Sequence, residues 1–301
     1  MTHRWISAVG MLAAVAALSM GLAVGDASAS KKKAATTSSK STTSTSTSSK
    51  ESKSSDDSSV IQDGNSADLH WTFAIAKGRT IEIKGVNGDI RARRGSSDKV
   101  EVWAYKHAHH SDPDEVKIEI NQEGGNVTVC AVYPGEGNDC VSGEGGHSHT
   151  HNNDVVVNFE VKIPPGVQFE GRTVNGEVEA DDLGARVEAR TVNGSIRIST
   201  SGYAEAGTVN GSITASMGSA DWKEPLDFAT VNGSITLDLP AATSADVRAA
   251  TENGDIESEF PMTVSGRISR HQVSGTIGKS GGQRLNLETV NGAIRLRKLS
   301  S

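Results

Sequence analysis

The chain lacks most of the features by which enzymes are recognised from sequence. Its 301 residues include only 2 Cys and 7 Pro, and aromatic residues make up 4%. It has no CxxC pair, phosphate-binding loop, HExxH motif or recognisable Ser-His-Asp set. Paired carboxylates beside aromatic sugar platforms, which polysaccharide-cleaving solenoids use, are also missing. We therefore expect a protein that is not an enzyme and that carries no cofactor.

A surplus of positive charge is missing as well. The chain has 30 Lys and Arg against 37 Asp and Glu, a net charge of −7. Residues 30–59 contribute +3 and residues 1–29 contribute nothing, so residues 60–301 carry −10. Nucleic-acid phosphates bind clustered Lys and Arg. This balance argues against nucleic acid as a partner.

The N-terminus has the pattern of a secretory signal peptide. Arg4 precedes an Ala-rich apolar run from Ile6 to Val24, and Ala27-Ser28-Ala29 follows it. We expect cleavage after Ala29; an uncleaved anchor is the alternative, but the run is barely long enough to span a bilayer. With no Cys before Cys130, a lipoprotein anchor at this site is excluded. The prediction is an exported protein of the periplasm, cell surface or extracellular space, without a transmembrane segment after cleavage.

Residues 30–66 are dominated by Ser, Thr and Lys. Such a segment cannot bury enough apolar surface to offset the entropy of ordering, so we expect a disordered linker. It would act as a flexible spacer, or alternatively as a stalk that carries O-linked sugars or binds anionic polymers.

A repeated motif, Thr-Val-Asn-Gly-x-Ile, dominates the rest of the chain. It begins at Thr173, Thr191, Thr208, Thr230 and Thr289, with looser copies from Thr251 and Gln272 and an upstream copy from Gly85. Successive Asn positions (Ser274 in one copy) are 18, 17, 22, 21, 21 and 17 residues apart. A near-fixed period predicts a repeat architecture. The expected structural turns are Asn87, Gly88, Asn175, Gly176, Asn193, Gly194, Asn210, Gly211, Asn232, Gly233, Asn253, Gly254, Asn291 and Gly292.

Each motif lies between segments that alternate apolar and polar residues, which predicts half-buried strands. The Asn-Gly pair predicts a sharp turn, because both residues tolerate positive φ. An antiparallel meander of hairpins and a solenoid of stacked coils both fit. We favour the solenoid, because stacked coils require the same corner conformation and let Asn side chains bond along a ladder. Its core ladder would be Val178, Ile196, Ile213, Ile235, Ile256, Ile277 and Ile294.

The predicted fold is therefore all-β. Residues 167–301 form a repeat β-solenoid, resembling a right-handed β-helix, with coils of about 17–22 residues. Residues 67–166 form an N-terminal strand-rich cap, with an insertion at 131–153, that shields the end coil. The outward face after the corners carries Ser and Thr with acidic patches, and Glu179 and Arg197 are expected to form a cross-strand ion pair.

Two groups of residues could carry chemistry. Cys130 and Cys140 predict a disulfide in an exported protein. His107, His109 and His110 follow a strand, and His147, His149 and His151 lie in the insertion. Their alternate spacing suits Zn or Cu if the segments are extended, with solvated loop histidines as the alternative. The expected metal ligands are His107, His109, His147, His149 and His151, binding weakly.

The Thr-Val-Asn-Gly-x-Ile units, preceded by Val161-Lys162-Ile163-Pro164-Pro165-Gly166-Val167, resemble the bacterial putative-adhesin domain family, which is similar to head domains of putative autotransporter adhesins. The resemblance implies an exported all-β solenoid and no catalytic residues. The functional expectation is a non-enzymatic adhesin, a cell-envelope or surface module that binds an envelope polymer or protein along an extended face. The alternative is an envelope-stress or cell-surface regulator that binds a membrane partner.

Overall fold

The computed structural model describes residues 59–63, 66–144, 150, 152–264, 269, 271–279 and 283–299. The expected signal peptide, most of the expected linker and the histidines at 147, 149 and 151 lie outside these residues. The first described strand, Ser59–Asp63, falls within the segment expected to be linker.

The strands form two sheets of 11 strands each. Sheet A contains, in chain order, β1 (Ser59–Asp63), β2 (Ser66–Phe73), β4 (Ile90–Arg94), β5 (Val100–His107), β8 (Val156–Ile163), β10 (Val178–Leu183), β12 (Ile196–Thr200), β14 (Ile213–Met217), β16 (Ile235–Leu239), β18 (Ile256–Ser258) and β22 (Ile294–Lys298). Sheet B contains β3 (Thr80–Lys84), β6 (Lys117–Glu123), β7 (Asn126–Val132), β9 (Gln168–Arg172), β11 (Val187–Arg190), β13 (Ala204–Gly207), β15 (Leu226–Ala229), β17 (Ala245–Asn253), β19 (Met262–Val264), β20 (Gln272–Ile277) and β21 (Gln283–Asn291). A short 3-10 turn covers Pro113–Glu115.

Each repeat forms one coil: a strand of sheet B, the Asn-Gly corner, then a strand of sheet A. The strand before a corner does not pair with the strand after it. Instead, β11 pairs in parallel with β9 and β13, and β12 pairs in parallel with β10 and β14. Parallel pairing between equivalent strands confirms the solenoid and excludes a hairpin meander for these units.

The core lies between the two sheets and consists of stacked aliphatic side chains. In sheet A the ladder is Ile90, Val178, Ile196, Ile213, Ile235, Ile294 and Ile256, in that order. All are buried except Ile256, which is half-buried at the end of the stack. The alternation seen in the sequence is thus the alternation between core and solvent.

The prediction that Ile277 continues this ladder is wrong. Ile277 ends β20, which pairs antiparallel with β17 in sheet B and places Ile277 opposite Ala245. This copy of the motif has Ser274 in place of Asn and Gln272 in place of Thr. It therefore lacks the two side chains that join the other corners, and it becomes a strand without a corner.

The coils do not stack in the order of the sequence. The last coil, formed by β21 and β22, lies between the β15–β16 coil and the β17–β18 coil. At the other end, the β7–β8 coil lies outside the β3–β4 coil, although it comes later in the chain. At each end of the stack, therefore, a strand pair from later in the chain lies between strands from earlier in the chain.

Antiparallel strands cover the stack ends. At the N-terminal end, β6 pairs with β7 in sheet B, while β5, β2 and β1 extend sheet A beyond β8. The region expected to be a strand-rich cap, residues 67–166, contains most of these strands and also a complete Asn-Gly coil, β3–β4. At the C-terminal end β20 and β19 extend sheet B, whereas sheet A ends at β18 among the described strands. Antiparallel strands therefore extend both sheets at the N-terminal end of the stack, but only sheet B at the C-terminal end of the described stack.

Candidate functional site

The Asn-Gly corners form a continuous ladder of side chains. Every Asn of the ladder except Asn87, which only accepts, donates from Nδ2 to Oδ1 of the Asn in a neighbouring coil, at 2.8–2.9 Å. The ladder runs through Asn87, Asn175, Asn193, Asn210, Asn232, Asn291 and Asn253. Asn87, which stands far upstream in the sequence, is thus the first member. The interior amides each donate and accept within the stack, so the ladder holds the coils in register.

The other polar positions of the motif also join coils. The Thr hydroxyl donates to the Gly carbonyl of the neighbouring coil, as from Thr191 to Gly176 at 2.9 Å and from Thr230 to Gly211 at 2.9 Å. The residue after Gly accepts a backbone N–H, as Ser212 does from Ser234 at 3.2 Å. The Thr, Asn and Gly that recur in the motif are therefore explained by stacking, and they point to no ligand.

Glycine is needed in the corners for a reason different from the one expected. Gly88 has φ +128°, but none of the other corner glycines has φ in the left-handed range. A Cβ on Gly194 would instead collide with the carbonyl oxygen of Gly176, and a Cβ on Gly211 would collide with that of Gly194. Close approach of successive coils, rather than positive φ, excludes every other residue.

The predicted disulfide is present and fixes a loop over sheet B. Cys130 in β7 is bonded to Cys140. Just beyond it, Lys84 Nζ donates to the carbonyls of Val141 and Gly143, and Gly143 N donates to Glu82 Oε2 at 2.9 Å. Burial lowers the pKa of Lys84 from its ordinary value. The bridge therefore positions a loop that covers charged side chains.

Those charged side chains belong to an ion cluster on the outward face of sheet B. It contains Glu82, Lys84, Glu170, Arg172, Arg186, Glu188, Arg190 and Glu205. Glu188 lies at its centre and bonds Arg172 at 2.8 Å, Arg186 at 2.6 Å and Arg190 at 2.8 Å. Burial raises the pKa of Glu188, but the three arginines outweigh it and hold the pKa at about 2. The cluster balances its charge and joins four coils.

Sequence reasoning did not identify this cluster. The signal was available in the i, i+2 pairs Glu82/Lys84, Glu170/Arg172 and Glu188/Arg190, which occupy equivalent positions before successive corners. Recognising it requires knowing that β3 is the direct neighbour of β9, across 88 residues of sequence.

The two histidine tracts can be placed only in part. The carboxylate of Asp154, three residues after His151, accepts backbone N–H bonds from His109, His110 and Ser111 at 2.8–3.2 Å. The bonds from Ser111 and His110 lower the pKa of Asp154 well below its ordinary range. No group of three or more His, Cys, Asp or Glu within the described residues forms a metal site. Because the histidines at 147, 149 and 151 lie outside those residues, weak metal binding stays a prediction.

The outward face of sheet A runs across 11 described strands. Its middle three coils carry outward side chains in three columns, of which one is all Ser and the other two each include one charged residue, Arg197 or Asp238. The hydroxyl groups of these columns, which we call the hydroxyl strip, belong to Ser195, Ser199, Ser212, Thr214, Ser216, Ser234 and Thr236. Charged side chains flank it. The expected Glu179–Arg197 pair is not formed; Arg197 lies 3.9 Å from Glu177, and Glu179 lies 3.8 Å from Arg91. Glu179 thus pairs with Arg91, which lies directly opposite it on the other neighbouring strand, and Arg197 turns to Glu177 on the diagonal.

Comparison with known proteins identifies the family. The family model described as Toastrack DUF4097 matches residues 15–297. The chain belongs to the Toastrack DUF4097 family. The solenoid of parallel coils described above is consistent with the repeat fold that the name Toastrack suggests. No match is found among curated proteins, and no helix in the described part of the chain is long and apolar enough to cross a membrane.

Three solved structures resemble this Toastrack chain. A putative cell adhesion protein from Clostridium sporogenes has 11% identity and a TM-score of 0.43, covering 76% of this chain and 99% of that one. A putative adhesin from Bacteroides fragilis has 13% identity and a TM-score of 0.26, over 76% and 96% of the two chains. A putative adhesin from Parabacteroides merdae has 14% identity and a TM-score of 0.22, over 77% and 96%. Likeness at this level carries no argument about what the protein binds.

Proposed function

We propose that this Toastrack protein is an exported, non-enzymatic binding module of the adhesin kind. It acts in the cell envelope or at the cell surface and holds an envelope polymer or protein along the outward face of sheet A. The observation that carries the proposal is the hydroxyl strip. Stacked coils repeat the same hydroxyl at the strand spacing of about 4.8 Å, which suits a chain of repeating polar units.

The distribution of charge favours this face over the other. On sheet B the charged side chains of the ion cluster are bonded to one another, and Glu188 and Glu82 are buried. On sheet A the side chains of Thr214 and Arg197 are exposed. Removing water from a hydroxyl group costs less free energy than removing it from a charged group. A partner can therefore displace the water bound to the hydroxyl strip more easily than the water bound to charged side chains.

Export is supported by the disulfide between Cys130 and Cys140. Disulfides persist in oxidising compartments such as the periplasm and cell exterior, and they are rare in the cytosol. Together with the signal-peptide pattern of residues 1–29, the disulfide supports the proposal that the protein acts outside the cytoplasm.

The test is a binding screen of residues 30–301 against envelope glycans and envelope proteins. The variant Thr214→Glu/Thr236→Glu places charges in the hydroxyl strip, and Arg248→Glu in β17 serves as a control on sheet B. We expect a ligand whose binding is lost in the double variant and kept in the control. Equal binding by both variants, or no ligand at all, would refute the proposal. Selective capture of a membrane protein would favour the regulatory alternative.

A further inference from the structure

The seven Asn-Gly pairs are sequences prone to deamidation, and they differ in how their Gly nitrogen is hydrogen-bonded within the stack. In an Asn-Gly pair, the Gly backbone nitrogen can attack Cγ of the Asn side chain. A bond forms between that nitrogen and Cγ, the Cγ–Nδ2 bond breaks, and ammonia leaves. Water then opens the resulting succinimide to aspartate or isoaspartate. The reaction therefore depends on a Gly nitrogen that is free to move and attack, and Asn is among the thermolabile residues for this reason.

In six of the seven corners this nitrogen is held. Gly88, Gly176, Gly194, Gly211, Gly233 and Gly292 each donate their N–H to the backbone carbonyl of the Asn in the next coil, at 2.8–3.0 Å. Five of these glycines lie packed between two neighbouring corners, and Gly88 lies between the Gly176 corner and Val157 of β8. Attack on Cγ would require breaking this bond and separating the coils.

The seventh corner, Asn253-Gly254, stands at the end of the ladder. Gly254 contacts Gly292 on one side, but its N–H donates to no acceptor in the described part of the chain. Asn253 donates Nδ2 to Asn291 at 2.9 Å, and its own Oδ1 accepts no bond from the described residues. The side chain of Asn253 is exposed, as are those of the interior members Asn193, Asn210 and Asn232, so exposure does not distinguish them. What distinguishes Asn253 is the N–H of Gly254, which has no acceptor among the described residues.

We propose that Asn253 is a site of spontaneous deamidation, and that stacking protects the other six Asn-Gly pairs. The product has consequences for the end coil. Aspartate at 253 cannot donate to Asn291 and adds a negative charge between Glu252 and Asp255. Isoaspartate lengthens the backbone of the corner, which no longer matches that of Gly292. Either product loosens β18 from β22.

The experiment ages the folded protein in mildly alkaline buffer and measures deamidation at each Asn-Gly pair by peptide mass spectrometry. We expect Asn253 to react roughly tenfold faster than Asn193, Asn210 or Asn232. The interior corners each have one hydrogen bond to the Gly nitrogen and one packed neighbouring coil that the Asn253 corner lacks. In urea, where the stack is absent, the seven rates should become similar. The variant Asn253→Ser should remove the fast site without accelerating Asn291.

Each alternative result overturns the proposal. If an interior Asn reacts as fast as Asn253 in the folded protein, the hydrogen bond from the Gly nitrogen does not protect the pair from deamidation. If Asn253 stays the fastest in urea, the local sequence rather than the position in the stack sets the rate.

Discussion

Each coil has two bends, and they differ in how strictly their sequence is set. The Asn-Gly corner spans five residues between its strands in five of the seven described coils, as at 191–195, 208–212 and 230–234; in the other two, β17 and β21 continue through the Asn, but the motif itself keeps the same length. The opposite turn spans three residues at 184–186 and 201–203, eight at 218–225 and five at 240–244. The spread of the repeat period therefore arises in the opposite turn. The Asn and Thr side chains of the corner bond from coil to coil, and these bonds require the same backbone conformation in every corner. The opposite turn carries no such repeated set of bonds, so its length and sequence can differ from coil to coil.

The longest opposite turn, residues 218–225, packs against a strand from a later part of the chain. Trp222 in this turn is buried, and its Nε1 donates to the backbone carbonyl of Arg284 at 3.2 Å. Arg284 lies in β21, which belongs to the coil that lies between the β15–β16 coil and the β17–β18 coil. The turn thus covers the edge of a coil that arrives late in the sequence. Equivalent corners explain why this arrangement is possible, because any corner can stack on any other.

The largest effect is expected where the core of an interior coil is broken. Ile213 is fully buried between Ile196 and Ile235. Ile213→Asp places a charge without a partner in this core and should cost more than about 4 kcal/mol, which unfolds the domain. Thr214→Asp, one residue on and facing solvent, is the control and should fold normally. Chemical denaturation followed by circular dichroism measures both; a folded Ile213→Asp protein would contradict the solenoid core.

Gly211→Ala tests the corner itself. Its Cβ would collide with the carbonyl of Gly194, so the two coils must separate, at a cost of roughly 3–4 kcal/mol. Gly207→Ala in the same coil is the control, because its Cβ meets nothing closer than 3.6 Å. Thermal unfolding should separate the two variants clearly. Equal stability would mean that the coils are not held closely at the corner.

Acid should weaken the ion cluster, which joins coils outside the corners. Glu188 has a pKa of about 2 when folded against an ordinary value of 4.5. The unfolded chain therefore binds more protons between these values. The contribution of Glu188, about 3 kcal/mol, is complete above pH 4.5 and is lost as the pH falls through about 2. Glu188→Gln should flatten the pH dependence of the unfolding free energy in this range, while Glu257→Gln, at an exposed pair, should not.

The smallest effect separates interior from terminal ladder positions. Asn210→Ala removes two side-chain hydrogen bonds, to Asn193 and from Asn232, whereas Asn253→Ala removes only the bond to Asn291. At roughly 1 kcal/mol for each bond, the interior change should cost about twice as much. Urea titrations of the two variants measure the difference. If both cost the same, the ladder does not act as a chain of bonds.

The sequence was sufficient for the coil but not for the order of the coils. Alternation around each Asn-Gly pair predicted the strands, the core and the Asn ladder, because these depend on residues within one repeat. The position of Ile294 between Ile235 and Ile256 could not be predicted, since every corner offers the same contacts to every other. Ile277 was misplaced because Ser274-Gly275 retains the alternation while losing the bonding side chains. The ion cluster was missed because it joins residues from non-adjacent parts of the chain.

Disulfide trapping tests the order of the coils most directly. Thr236 is the direct neighbour of Arg295, and Arg295 is the direct neighbour of Glu257. Adjacent strands lie about 4.8 Å apart, within the reach of a disulfide, whereas strands two places apart lie beyond its limit of about 7 Å. Thr236→Cys/Arg295→Cys should therefore form a cross-link in the folded protein, and Thr236→Cys/Glu257→Cys should not. The reverse result, cross-linking of 236 to 257 alone, would show that the coils stack in sequence order and would contradict the account.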